Sequence, residues 1–186
     1  MFFGDSSRLA ESGPRGTVSR SAGWLVLPVA IIGALTAWGE DVSSDSKRII
    51  GATATLIETE SGLSFPARID TGAQSCSLHV EKIQIEDAST KRVRNVGKNV
   101  RILLKDAGGK TRWIDSTIAK TVRVKSSTLK SGEYDQRYKV RLTLKWKDFE
   151  KEVLVTLNDR TDMEFPLLIG RNFLRGDFLV DVEKKD

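Results

Sequence analysis

The sequence contains only one cysteine, Cys76, and one histidine, His79, in 186 residues. A single cysteine excludes an intramolecular disulfide framework. With one histidine it leaves little material for a metal site, because zinc is bound mainly through these two residue types. Stability is therefore expected to come from packing. A hydrophobic content of 39% in a chain of this length can supply one core.

The sequence also lacks a dense run of charge of either sign. The formal net charge is +5, but lysine and arginine are scattered among acidic residues. Proteins that bind nucleic acid concentrate basic residues in a patch or stripe along the phosphates. The charge pattern therefore predicts no nucleic-acid partner.

A single long apolar run, residues 24–38, stands apart from the remainder of the chain. The polar segment before it contains three arginines, Arg8, Arg15 and Arg20. A basic segment, an apolar run and small residues at Ala37 and Gly39 are typical of a signal peptide. We therefore expect residues 1–39 to direct export to the periplasm. The alternatives are an uncleaved membrane anchor facing the periplasm and a buried core helix.

Residues 40–48 form a polar linker by composition, and residues 49–186 form the predicted folded domain. Apolar and polar residues alternate there with a period of two, as in 63–69, 138–146 and 153–157. Turn signals at 106–109 and 147–148 separate such segments into hairpins. The pattern predicts an all-β fold, a small closed barrel or sandwich, with one short helix at Arg171–Leu174.

The chemistry is expected at Asp70-Thr71-Gly72-Ala73, which follows the apolar strand ending at Ile69. A strand can deliver the carboxylate to a cleft, a threonine hydroxyl can bond backbone, and glycine permits a tight turn. The motif alone is weak evidence, since such a turn can cap a strand without any function. A second segment, residues 165–174, strengthens it with an apolar strand that ends in glycine and enters a short helix.

Together these segments resemble the retropepsin family of aspartic proteases. The resemblance is strongest to a bacterial group described as ATP-dependent zinc proteases and as retropepsin-like partners of the ribosomal-protein glutamate ligase. It covers about residues 49 to 183, in the separated blocks 67–73, 77–79, 157–160, 163–171 and 178–181. The resemblance implies a closed acid-protease barrel.

The resemblance also implies roles for individual residues. Asp70 would be the catalytic acid and Thr71 a brace between subunits, while the hairpin at 106–110 would be a flap. The active-site loop and its support would comprise Thr71, Gly72, Ala73, Ile169, Gly170 and Arg171. Retroviral relatives have acidic residues where this chain has Gln74 and Ser75. In those relatives, one of the acidic residues pairs with the arginine that follows the second glycine, the position of Arg171 here. Arg171 therefore needs another partner, for which Asp159, Asp162 and Asp181 are the candidates.

The residues give little support for the ATP and zinc that the group's description names. Residues 109–111 resemble the end of a phosphate-binding loop, but they lie in a hairpin rather than between a strand and a helix. Cys76 and His79 could supply two zinc ligands where a catalytic site needs three, so a carboxylate would have to complete the set. We expect Cys76 to be a small buried residue and His79 a strand-end or surface residue. The sequence thus predicts no cofactor and no metal.

An aspartic protease needs two carboxylates that share a proton, and this chain has only one Asp-Thr-Gly motif. The second carboxylate is therefore expected from Asp70 of a two-fold-related copy, in a homodimer that cleaves a polypeptide substrate. The alternative is an envelope domain that keeps the barrel to bind a peptide or partner without cleaving it.

Overall fold

The computed structural model describes residues 46–124 and 134–184, which belong to one compact unit, Ser43–Asp186. The predicted signal peptide or anchor, residues 1–39, and most of the linker lie outside the described residues. Within the two described ranges, no helix is long and apolar enough to cross a membrane.

The described chain is built almost entirely of strands. In chain order they are β1 (Arg48–Ile50), β2 (Thr53–Glu58), β3 (Leu63–Ile69), β4 (Cys76–His79), β5 (Lys82–Ile85), β6 (Asn99–Lys105), β7 (Thr111–Val124), β8 (Asp135–Trp146), β9 (Phe149–Asn158), β10 (Leu167–Ile169) and β11 (Phe178–Val180). The predicted helix is present as α1 (Arg171–Leu174), and a 3-10 turn at Arg92–Asn95 was not predicted.

Six of these strands close into a barrel, which confirms the predicted all-β fold. They pair in the order β2, β3, β10, β4, β9 and β8, and β2 returns to pair with β8 at Ile57–Lys145 and Glu58–Leu144. Strands β7, β6 and β5 continue the sheet beyond β8. Closure removes the free edges that an open sheet would expose, so the sequence pattern resolves to a barrel rather than a sandwich.

The barrel core follows the alternation of apolar residues. In β3 the side chains of Leu63, Phe65, Ala67 and Ile69 are buried, and those of Ser64 and Arg68 are exposed. Below them, an aromatic cluster joins α1 and β11 to the β8–β9 turn through edge and stacking contacts among Trp146, Phe149, Phe173 and Phe178. Strand β11 also pairs in parallel with β1, which ties the two ends of the described domain together.

Candidate active site

Strand β3 ends at Ile69, so Asp70 is the first residue after a buried strand, as the sequence predicts. Strand β10 runs parallel beside β3, with Ile169 opposite Ile69. The Asp70 backbone N–H donates to the Ile169 carbonyl at 2.9 Å, which extends the ladder by one bond. The apolar-apolar-Gly segment thereby fixes the position at which the Asp70 loop leaves the barrel.

The Asp70 carboxylate is oriented by its own loop. Its Oδ1 accepts hydrogen bonds from the backbone N–H groups of Gly72 at 2.9 Å and Ala73 at 3.1 Å. Among the described residues none donates to Oδ2, and Asp70 is half-buried. Thr71 is exposed at the tip of the loop. The arrangement holds one carboxylate oxygen and leaves the other free for chemistry.

Gly170 is required by space rather than by backbone conformation. It has an extended backbone, with φ at −97° and ψ at −177°. A Cβ added there would lie 2.6–2.8 Å from the backbone atoms C, O and N of Ser75, closer than real contacts allow. Gly72 likewise has no positive φ, and a Cβ there would stand 3.2 Å from Asp70 Oδ1. The loop roles expected of Gly170 and Gly72 thus depend on the close approach of neighbouring atoms, Ser75 backbone and Asp70 Oδ1, respectively.

Arg171 contacts the loop through its backbone. Its N–H donates to the Ala73 carbonyl at 2.8 Å. Among residues 46–124 and 134–184, no carboxylate lies within 4.0 Å of its guanidinium. The three candidate partners are placed otherwise: Asp159 accepts bonds from Thr161, Asp181 accepts one from Glu183, and Asp162 is exposed.

Asn172 has a structural role that sequence reasoning missed. Its Oδ1 accepts from the Cys76 backbone N–H at 2.9 Å and from Cys76 Sγ at 3.3 Å, while its Nδ2 donates to the Leu154 carbonyl at 2.8 Å. One amide thus joins α1 to strands β4 and β9. Its position two residues after Gly170, within the segment 165–174, was the available signal.

Lys139 is the second residue that sequence reasoning missed. The alternation in β8 placed it on a charged outer face, but it is only 9% exposed. Its Nζ donates to Ser75 Oγ at 2.6 Å, at the far end of the Asp70 loop. Burial, followed by the charge of Lys120, lowers its pKa. No local sequence signal marks the contact, because 64 residues separate Lys139 from Ser75.

His79 and Cys76 have separate hydrogen-bond partners. His79 is the last residue of β4, as predicted, and its Nδ1 accepts the Arg160 backbone N–H at 2.9 Å. The carboxylates of Glu81 and Asp159 lie 3.7 Å from its two ring nitrogens, on opposite sides. In the part of the chain that the structure describes, no three His, Cys, Asp or Glu residues are grouped to hold an ion.

The turn at 106–110 is a hairpin between β6 and β7, closed by Asp106 and Lys110. Next to this hairpin, Lys105 Nζ lies 3.5 Å from Glu81 Oε1, at the corner between β4 and β5. Strand β8 contacts the Asp70 loop through Lys139, in addition to the contacts made by Ile169 and Arg171. The flap role of 106–110 stays a prediction.

Comparison with known sequences identifies the family. The sequence model of the family described as RimB-like, "Retropepsin-like aspartic endopeptidase RimB", matches residues 49–186. The chain belongs to this family. Membership confirms the retropepsin resemblance on which the site residues were assigned, and it places Asp70 and Gly170 within the matched region.

Individual proteins that are similar to the chain have low sequence identity to it. Two curated proteins, each named "Probable alpha-L-glutamate ligase", are similar to it: one from Shewanella halifaxensis is 26% identical over 74% of this chain, and one from Desulfotalea psychrophila is 28% identical over 73%. The chain spans only 29% and 28% of their lengths, so their named activity is that of much longer proteins.

A solved structure supports the fold. A Legionella pneumophila protein of unknown function superimposes with a TM-score of 0.59 at 23% identity, over 75% of this chain and 97% of the other. At that identity the likeness concerns the fold alone.

The single thiol gives a test of the packing behind the site. Cys76 is fully buried, and burial raises its pKa to about 11 from 9.0. We expect no labelling of the native protein by a thiol reagent at neutral pH, and full labelling after unfolding. Because the folded pKa is the higher one, the stability linked to this group is present below pH 9 and is lost as pH rises towards about 11. In urea unfolding, a Cys76→Ala variant should lose less free energy of unfolding than the wild type as pH rises from 9 to about 11. Rapid labelling of the folded wild type would contradict the burial of the thiol.

Proposed function

We propose that the chain is an aspartic endopeptidase that acts as a homodimer, with one Asp70 carboxylate from each subunit. The observation that carries the proposal is the carboxylate itself. Its Oδ1 is held by two backbone N–H groups, its Oδ2 has no donor among the described residues, and it follows β3 in a chain of the retropepsin-like family. No cofactor is needed for this chemistry.

The proposed reaction uses the two carboxylates in different protonation states. The ionised one takes a proton from a water molecule, whose oxygen bonds to the carbonyl carbon of the substrate, while the protonated one donates to the carbonyl oxygen. The C–N bond of the tetrahedral intermediate then breaks as the nitrogen receives the proton that the first carboxylate took from water. The second carboxylate takes back a hydroxyl proton of the intermediate, which leaves a carboxylic acid and an amine. A single subunit supplies only one of these two groups.

Two features support a subunit contact near Asp70. The Ala52 carbonyl accepts the Ile69 N–H at 2.9 Å, so the corner after β1 lies beside the end of β3. In the β1–β11 pair, Ile49 and Leu179 are opposite each other and are 49% and 55% exposed. Adjacent exposed apolar side chains are typical of a surface that a second chain covers.

A subunit-mixing experiment tests the shared site. In a pool of freely exchanging wild-type and Asp70→Asn subunits, only wild-type pairs contain both carboxylates, so cleavage should fall with the square of the wild-type fraction. Activity on a fluorogenic peptide library gives the measurement, and Asp159→Asn subunits, changed outside the predicted flap, give a control that should cause no such fall. A linear decrease, or full activity from a protein that remains monomeric during turnover, would exclude the shared site. Peptide binding without cleavage by the wild type would favour the non-catalytic alternative.

We also propose that the protein is exported, on the basis of the basic segment and the apolar run at 24–38. Fractionation of the native source should recover it outside the cytoplasm, and mass spectrometry should find a mature chain that begins after residue 39. An intact Met1 in the membrane fraction would indicate an anchor, whereas a cytoplasmic form would refute export.

A further inference from the structure

The loop from Asp70 to Ser75 is held from two sides of the barrel. On one side, Ile169, Gly170 and Arg171 contact it, as described above. On the other side, Lys139 in β8 donates from Nζ to Ser75 Oγ at 2.6 Å. This second contact joins the loop to the long β7–β8 hairpin, and none of the sequence motifs includes it.

The surroundings of Lys139 indicate that its contact with Ser75 does not stabilise the folded protein. The side chain is 9% exposed, and among the described residues no carboxylate lies within 4.0 Å of its ammonium. One of its two cross-strand neighbours is another cation, Lys120 in β7, and the other is Thr156 in β9. A buried charge whose partner is a neutral hydroxyl costs folding free energy relative to an apolar side chain of similar size. The lowered pKa of Lys139 has the same origin.

The strand opposite Lys139 is irregular at this point. Ile118 pairs with Val140, but Lys120 rather than Ala119 pairs with Lys139, because β7 contains a bulge. Bulges change the direction of side chains and are frequent beside active sites. Because of the bulge, Lys120 rather than the small, neutral Ala119 lies opposite Lys139. Repulsion between the two ammonium groups makes a purely stabilising role for Lys139 still less favourable.

The contact is transmitted to the catalytic carboxylate through a short path. Ser75 is fixed between the Gly170 backbone and the Lys139 ammonium. Two residues before it, Ala73 donates its N–H to Asp70 Oδ1. A displacement of Ser75 would therefore move the amide that orients Asp70.

We propose that Lys139 is a positioning residue, which holds Ser75 and thereby fixes the Asp70 loop for catalysis. The inference rests on the proposed endopeptidase function for its kinetic consequence, but not for its structural one. It predicts that the interaction benefits activity at the expense of stability, a combination found at functional sites.

The kinetic test compares Lys139→Met, Ser75→Ala and the double variant. Each single variant should lower kcat about tenfold with little change in KM, because loop geometry rather than substrate affinity is altered. The double variant should be no slower than the single ones, since both changes remove the same contact. Ser75→Thr keeps a hydroxyl and should retain activity. Lys120→Met removes the neighbouring charge without touching Ser75 and should behave as the wild type.

Two measurements do not depend on activity. Lys139→Met should unfold at the same or a higher temperature than the wild type, while amide hydrogen exchange at Gly72 and Ala73 becomes faster. If the wild type cleaves no peptide, the proposed function fails and the exchange rates alone decide the positioning role. A lowered unfolding temperature with unchanged exchange and kcat, or fully additive effects in the double variant, would overturn the inference.

Discussion

Asp70→Asn is expected to abolish peptide cleavage while leaving the fold unchanged. The asparagine carbonyl oxygen can still accept the N–H groups of Gly72 and Ala73, which now hold Asp70 Oδ1, so the loop should keep its shape. The amide cannot share the catalytic proton with a second carboxylate. Since general acid–base chemistry contributes about 10²–10⁴ in rate, the loss of kcat should be at least of that order.

The structure offers a matched control for this substitution. Asp159 also accepts a backbone N–H from two residues along the chain, that of Thr161 at 3.0 Å, but it follows strand β9 and lies outside the predicted flap. Asp159→Asn should therefore leave kcat unchanged. Circular dichroism and urea unfolding of both variants would show that the fold is intact. An Asp70→Asn protein that cleaves at the wild-type rate would remove Asp70 from the mechanism.

Gly170→Ala is expected to damage both stability and activity. The new methyl group would lie 2.6–2.8 Å from three backbone atoms of Ser75, and backbone cannot rotate away as a flexible side chain can. Overpacking of this kind costs about 1–3 kcal/mol and sometimes more. The loop must shift to relieve the contact, and a displacement of about 1 Å at a reacting group can reduce the rate about 100-fold.

Gly108→Ala is a suitable control for the Gly170 experiment. A Cβ at Gly108 would meet only a side-chain oxygen, Asp106 Oδ1, at 3.3 Å, and the backbone there has no positive φ. The urea midpoint should fall clearly for Gly170→Ala and much less for Gly108→Ala, with the denaturant slope unchanged in both. Equal urea midpoints for Gly170→Ala and the wild type would show that the β10–α1 segment can shift without loss of stability.

Several local features of the site could be predicted because they are encoded by neighbouring residues. The alternation in 63–69 fixes which side chains face the core, and it places Asp70 directly after the strand. The short helix Arg171–Leu174 followed from the end of an apolar strand at a glycine. The role of Gly170 was expected as loop geometry, but its reason, a close backbone contact with Ser75, required coordinates.

Contacts between distant strands could not be predicted from the sequence. Periodicity assigned Lys139 to the solvent face of β8, since a period of two distinguishes only two faces and does not show what covers each one. The structure buries Lys139 beside Ser75, although Arg141 on the same face stays exposed. The partner of Cys76, Asn172, is likewise 96 residues away in sequence.

The sequence by itself determined the strands, the position of the Asp70 motif and its support, and the family to which the chain belongs. These features depend on short-range patterns and on blocks whose order along the chain is preserved. Only the tertiary structure decided which strands close the barrel that the resemblance implied, and that a buried lysine bonds the end of the Asp70 loop. Closure and burial arise from pairing between strands far apart in sequence, and strand pairing is set by the packing of the whole domain rather than by any local pattern.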